Sequence, residues 1–225
     1  AEQLLKASEK ASLPKNVFQI LHLDHSSTSK VIADSRIDHV LFTGSVSGGI
    51  EVKKAIGTRF IGAGLELGGK DPAYVRADCN FDHAVENLVD GSYYNSGQSC
   101  CGIERIYVDE KIFDNFVDAF KAQTEKYILD NPLDNSTNLG PVVKLSAANN
   151  IRDQVSKALN NGAKNIIDES KFKIDNSDNC YVSPSALVNV NHSMEFMMEE
   201  TFGPTVGIMK VKNDDEAEQL MNDSP

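Results

Sequence analysis

The sequence predicts an α/β fold built on a parallel sheet, and two observations carry that expectation. In the first, the strand-like HVLFT (39–43) runs into a glycine-bearing turn (44–49), a helical run (50–56) and a second strand (59–67). Strand, turn, helix and strand in that order make a β-α-β unit, whose strands lie parallel. In the second, strand-like and helix-like segments keep alternating along the chain, with no repeat, low-complexity tract or long linker.

The elements follow in order. Residues 2–11 place Leu4, Leu5 and Ala11 at helical spacing, and Leu13-Pro14 closes that helix. NVFQILHL (16–23) reads as a strand, 29–34 as a short helix, and 39–67 as the β-α-β unit. After Gly68-Gly69, Asp78-Cys79-Asn80 offers an N-cap for a helix over 81–94. Residues 106–108 form a strand and 110–129 a long amphipathic helix, ended by Asn131-Pro132. A helix over 145–159 stops at Asn160-Asn161-Gly162. Strands at 181–190 and 206–211 and a helix at 214–221 complete the set, with a boundary between two parts at 64/65.

Composition narrows the function classes. At 225 residues, 40% hydrophobic and 24% charged, the chain has the make-up of a soluble globular protein with a sizeable core. A net charge of −11 without a basic run argues against a nucleic-acid or anionic-membrane partner, because binding phosphate needs a basic face. The longest apolar stretches, such as 37–43, are too short to span a bilayer. AEQLLKASEK has no signal-peptide core and no initiator methionine, so the natural chain is expected to begin earlier. The four cysteines include no C-x-x-C pair, which supports neither a disulfide framework nor a zinc ribbon. Reduced thiols in a cytoplasmic setting are expected.

Four motifs could carry chemistry. TGSVSGG (43–49) lies between strand and helix, where backbone N–H groups bind anions and glycines admit a diphosphate. Such turns are also common in α/β proteins that bind nothing. In LELGGK (65–70), Glu66 is flanked by Leu65 and Leu67, which suggests a largely buried carboxylate. It is salt-bridged, held ready for proton transfer, or simply facing solvent at a strand end. In NSGQSCCGIERIYV (95–108), a turn through Gly97 and Gln98 would expose the Cys100 sulfur and nearby N–H groups that could hold an oxyanion. Inert packing is the usual fate of a free thiol and is assigned to Cys79 and Cys180. MEETFGP (198–204) joins two acids to a Phe-Gly-Pro turn; a glutamate there could accept two ribose hydroxyls or merely end a helix.

In this order, FTGS, ELGGK, NSGQSCC and EETFGP resemble the aldehyde dehydrogenase superfamily, from about Leu13 to the last residue. The resemblance implies a partial parallel-sheet, three-layer aldehyde dehydrogenase-like fold. Residues 1–64 would be the C-terminal part of a dinucleotide-binding domain and 65–225 a catalytic domain incomplete at its end. It makes Cys100 the nucleophile and Glu66 the general base, and assigns cofactor contacts to Gly44, Ser45, Gly49, Leu67, Glu200 and Phe202. Ser45 would touch the diphosphate, and Glu200 would hold the nicotinamide ribose. The implied cofactor is NAD or NADP, with no metal.

The implied chemistry is attack of Cys100 on an aldehyde to give a thiohemiacetal, hydride loss to leave a thioester, and hydrolysis of that thioester by water activated at Glu66. The Cys100 N–H and a side-chain amide would stabilise the oxyanion. Glu66 implies hydrolysis rather than acyl transfer to coenzyme A. Cys101 is expected to be a packed or sulfur-protecting neighbour. The partners implied are a small aldehyde substrate, no nucleic acid, no membrane, and a homodimer or homotetramer when full length. Family members are roughly twice as long, and their upstream Pro-Trp-Asn motif and adenosine-ribose lysine are absent from this stretch. Two readings stand: a piece of an aldehyde dehydrogenase, or a truncated, non-catalytic homologue acting as a binding or subunit-interaction module.

Overall fold

The computed structural model describes residues 1–224, and the chain falls into two units that divide between Leu67 and Gly68. Pro225, the last residue of the expected second part, lies outside the described residues. A boundary at 64/65 would cut a strand, because the second strand of the first unit runs on to Glu66.

The first unit opens with α1 (Glu2–Lys10) and α2 (His25–Ala33). Asp24 caps α2 by accepting the Ser27 N–H at 2.7 Å, so the helix starts earlier than the expected residue 29. Residues 16–23 do not form the expected strand. Their side chains are largely exposed, Asn16 has φ of +68°, and the Gln19 amide bonds the Asn16 carbonyl, a local pattern that competes with a ladder. β1 (His39–Thr43), α3 (Val46–Ile56) and β2 (Gly62–Glu66) make the β-α-β unit, with parallel register from His39↔Gly62 to Thr43↔Glu66. α3 begins four residues before the expected position because the Ser45 side chain accepts the Gly48 N–H at 3.1 Å. That cap outweighs the poor helix propensity of Ser47, Gly48 and Gly49.

The second unit holds β3 (Asp71–Val75), α4 (Phe81–Tyr93), β4 (Ile103–Asp109), α5 (Phe113–Thr124), α6 (Leu145–Asn160), β5 (Lys164–Asn165), β6 (Ser185–Val188), α7 (Glu195–Met198), β7 (Thr205–Val211) and α8 (Asp214–Asn222). Its five strands lie in the order β3-β4-β7-β6-β5, all pairs parallel except β5 with β6. β3 escaped the sequence pattern because Pro72 lacks a ladder donor, which is tolerated here because β3 is an edge strand. α5 is shorter than the expected 110–129, and β6 shorter than 181–190, where Pro184 precedes the strand.

Alternation along β4 builds three layers. Ile106 and Val108 are fully buried on one face against Val89 and Tyr93 of α4 and Phe116 and Phe120 of α5. Tyr107 between them faces the other side, with Val211 of β7 and Ala217 of α8. On that side Leu187 of β6 also packs with Val155 and Ala158 of α6 and Met197 of α7. Burying each large apolar side chain contributes about 1.5–3 kcal/mol, which makes this sheet a rigid platform. No helix among the described residues is long and apolar enough to cross a membrane.

Candidate active site

Three motifs reach the same edge of the second unit for a topological reason. Gly68-Gly69-Lys70 leads into β3, the cysteine turn into β4, and Glu199–Pro204 into β7. These strands are adjacent and parallel, so all three segments meet at their amino ends.

The cysteine turn is unusual in its backbone. Asn95, Ser96 and Gly97 have φ of +53°, +56° and +71°, three left-handed residues in succession. Asparagine and glycine tolerate this region; serine does so at a cost and needs local support. Ser96 is buried, and its hydroxyl donates to the Gly140 carbonyl at 2.8 Å. Gln98 clamps the same loop: its Oε1 accepts the Val143 N–H at 2.8 Å, and its amide nitrogen donates to the Asn95 carbonyl at 3.1 Å. Gly97 lies directly against the Gly203 carbonyl, where a Cβ would collide. The turn therefore presents Cys100 exposed, as expected from Gly97 and Gln98.

Cys101 differs from expectation. It is exposed rather than packed, with its sulfur 3.3 Å from the Ser99 hydroxyl. Gly102 and Ile103, which follow it, are only half-buried, and the fully buried part of β4 begins at Glu104. Cys79 and Cys180 are half-buried against apolar clusters.

Glu200 is half-buried, with its carboxylate directly over Gly68, where a Cβ would collide with it. Burial raises its pKa above the ordinary carboxylate range, and Glu104 and Asp71 push the same way; the Gly69 N–H and Lys70 pull it back. Gly69 also borders the Cys100 carbonyl, at 3.7 Å from the position of a Cβ. Cys100 and Glu200 thus flank the same glycine pair. Phe202 is exposed at 40%.

The remaining candidates lie together in the first unit. The Gly44 N–H donates to the Glu66 carbonyl at 3.0 Å, which joins the turn after β1 to the end of β2. Ser45 caps α3, and Gly49 is buried with Leu67 so close that a Cβ would stand 2.9 Å from its Cδ2. Glu66 is exposed in this chain, not largely buried: Leu65 and Glu66 point to opposite faces of β2, and only Leu65 is half-covered.

Sequence reasoning missed Lys70, Glu104, Gln154 and Thr201. Lys70 and Glu104 are buried and 2.6 Å apart, with Lys70 5.1 Å from the centre of the Phe196 ring. Burial pushes the Lys70 ammonium below its ordinary range, and Glu104 pulls it back. The available signal was the charged pair Glu104-Arg105 inside the strand-like run GIERIYV.

A family model described as the aldehyde dehydrogenase family matches residues 1–225. The chain belongs to that family. Among aldehyde dehydrogenases it is similar to a 3-sulfolactaldehyde dehydrogenase of Priestia aryabhattai, 32% identical over 225 residues, 100% of this chain and 46% of that protein. It is also similar to the succinate semialdehyde dehydrogenase (NAD(P)+) Sad of Escherichia coli (strain K12), 33% identical over 224 residues, 100% of this chain and 48% of that one. Among solved structures, betaine aldehyde dehydrogenase from Staphylococcus aureus in complex with NAD+ matches with a TM-score of 0.90 at 30% identity, over 99% of this chain and 44% of that one. The chain spans less than half the length of each of these relatives.

Proposed function

We propose that the protein carrying this chain is an NAD(P)-dependent aldehyde dehydrogenase that oxidises a small aldehyde to a carboxylic acid through Cys100. The observation that carries this reading is an exposed cysteine on a braced left-handed turn, its backbone carbonyl beside the glycine pair that also seats Glu200. The first unit then belongs to a dinucleotide-binding domain and the second to a catalytic domain.

The residues present fit a dinucleotide. Gly44 and Ser45 open an 11-residue helix after a β-strand, and helix N-termini attract phosphate. Glu200 offers a half-buried carboxylate that accepts two hydroxyl hydrogen bonds. Bound nicotinamide would supply the hydride acceptor. Cys100 adds its sulfur to the aldehyde carbon, and its own N–H steadies the resulting oxyanion. Glu66 takes a proton from the water that releases the acid from the cysteine sulfur. Ser45 and Gly44 hold the diphosphate end, Gly49 and Leu67 keep α3 close to β2 beneath it, and Glu200 and Phe202 hold the nicotinamide end. Free cysteines support a reducing, cytoplasmic setting, and the assembly is a homodimer or homotetramer.

The test is a panel of sulfonated, carboxylated, quaternary-ammonium and simple aliphatic aldehydes offered to the full-length protein with NAD+ or NADP+, following the reduced nicotinamide. Turnover with at least one class is expected. No reduction with any aldehyde, by a folded protein that binds the cofactor, would contradict the reading.

A further inference from the structure

Two of the motifs converge on a side chain of the third, four residues beyond Cys100. Glu104 lies on β4 with 5% of its surface exposed. One of its carboxylate oxygens accepts from Lys70 Nζ at 2.6 Å and from the Thr201 N–H at 2.9 Å, and the other from the Phe202 N–H at 2.9 Å. From the opposite side, the Thr201 hydroxyl donates to Gln154 Oε1 at 2.7 Å, and the Gln154 amide donates to the Glu200 carbonyl at 3.3 Å. The backbone from Glu200 to Phe202 is thereby tied to β4 and α6.

That grip has a conformational consequence. Phe202 has φ of +53°, a region an aromatic residue seldom adopts without support. Successive N–H groups pointing at one carboxylate form an anion-binding concavity, and Glu104 fills it from within the protein. Lys70 supplies the counter-charge that allows the carboxylate to be buried. A purely structural ion pair would need only Lys70; the two backbone donors give Glu104 control of the turn.

We propose that Glu104 is a positioning residue for cofactor binding, holding the 200–202 turn so that the Glu200 carboxylate stands over Gly68 and Gly69. The proposal rests on the reading of Glu200 as the group that holds the nicotinamide ribose. Glutamine at position 104 keeps the shape, but its amide can accept only one of the two N–H groups well and turns a donor toward the other.

The experiment uses the full-length protein with Glu104→Gln, Glu200→Gln and both together, reading NAD+ affinity by calorimetry, Cys100 alkylation by iodoacetamide, and circular dichroism. Glu104→Gln is expected to weaken NAD+ binding at least about tenfold, comparably to Glu200→Gln, with the double variant little worse than Glu200→Gln alone. The alkylation rate at Cys100 should stay within about twofold, because the thiol turn is braced separately by Ser96 and Gln98. Additive losses, a parallel fall in alkylation, or wild-type affinity in folded Glu104→Gln would overturn the proposal while the ribose reading stands. Unchanged affinity in Glu200→Gln would instead remove the ribose reading itself, and the proposal with it. Should Glu104→Gln fail to fold, Lys70→Met with Glu104→Leu removes both buried charges at once. The same tenfold loss is then expected, and wild-type affinity overturns the proposal.

Discussion

Glu200 and Cys100 flank one glycine pair, and their surroundings differ: the thiol is open to solvent, while the carboxylate is half-covered and faces Glu104, Asp71 and Lys70. Because burial raises the Glu200 pKa, it takes up a proton at a higher pH than an ordinary glutamate. A protonated carboxyl accepts less well from a hydroxyl, so NAD+ affinity is expected to fall as pH drops through that raised value. Calorimetry across pH should show this slope in the wild-type protein and lose it in Glu200→Gln; identical profiles would contradict the assignment. The stability term has the opposite sense. The native state binds this proton more readily than the unfolded one, so the term favours folding at low pH and is lost as pH rises through the window. At this scale Cys100 and Glu200 could be picked out as candidates because their neighbours in sequence form motifs. Glu104 was not, because its partners Lys70, Thr201 and Phe202 come from two other motifs and meet it only in the folded sheet.

Elements show which local rules won. The β-α-β unit was legible from HVLFT and the glycine turn, yet α3 starts earlier than propensity allows because one serine caps it. β3 was hidden by a proline that an edge position forgives, and residues 16–23 show that apolar content without a partner strand does not make a ladder. The cysteine turn depends on a contact between elements, Gly97 against Gly203, that no single segment reveals. Gly97→Ala should therefore cost the left-handed penalty, about 1–2 kcal/mol, plus a backbone collision. Gly162 has φ of +100° with nothing near a Cβ, so Gly162→Ala should cost the penalty alone. Scanning calorimetry on the full-length protein should show a small drop in Tm for Gly162→Ala and a clearly larger one for Gly97→Ala. Equal shifts would remove the close packing of the turn on Gly203 from the explanation.

For the whole molecule, the chain carries a net charge of −11 and no basic run. Membership in the aldehyde dehydrogenase family was legible because four short motifs occur in one order, a pattern that local structure alone does not require. The exposure of Glu66 was not legible, because Leu65 and Leu67 beside it in sequence suggested burial while strand alternation turns Glu66 to the face opposite Leu65. What unites the molecule's chemistry is the claim that one of two adjacent exposed sulfurs forms the bond to substrate. The most direct measurement is aldehyde oxidation by the full-length protein with Cys100→Ser and, separately, Cys101→Ser. Activity should vanish in the first and largely persist in the second; comparable loss in both, or turnover without the Cys100 sulfur, would contradict the assignment.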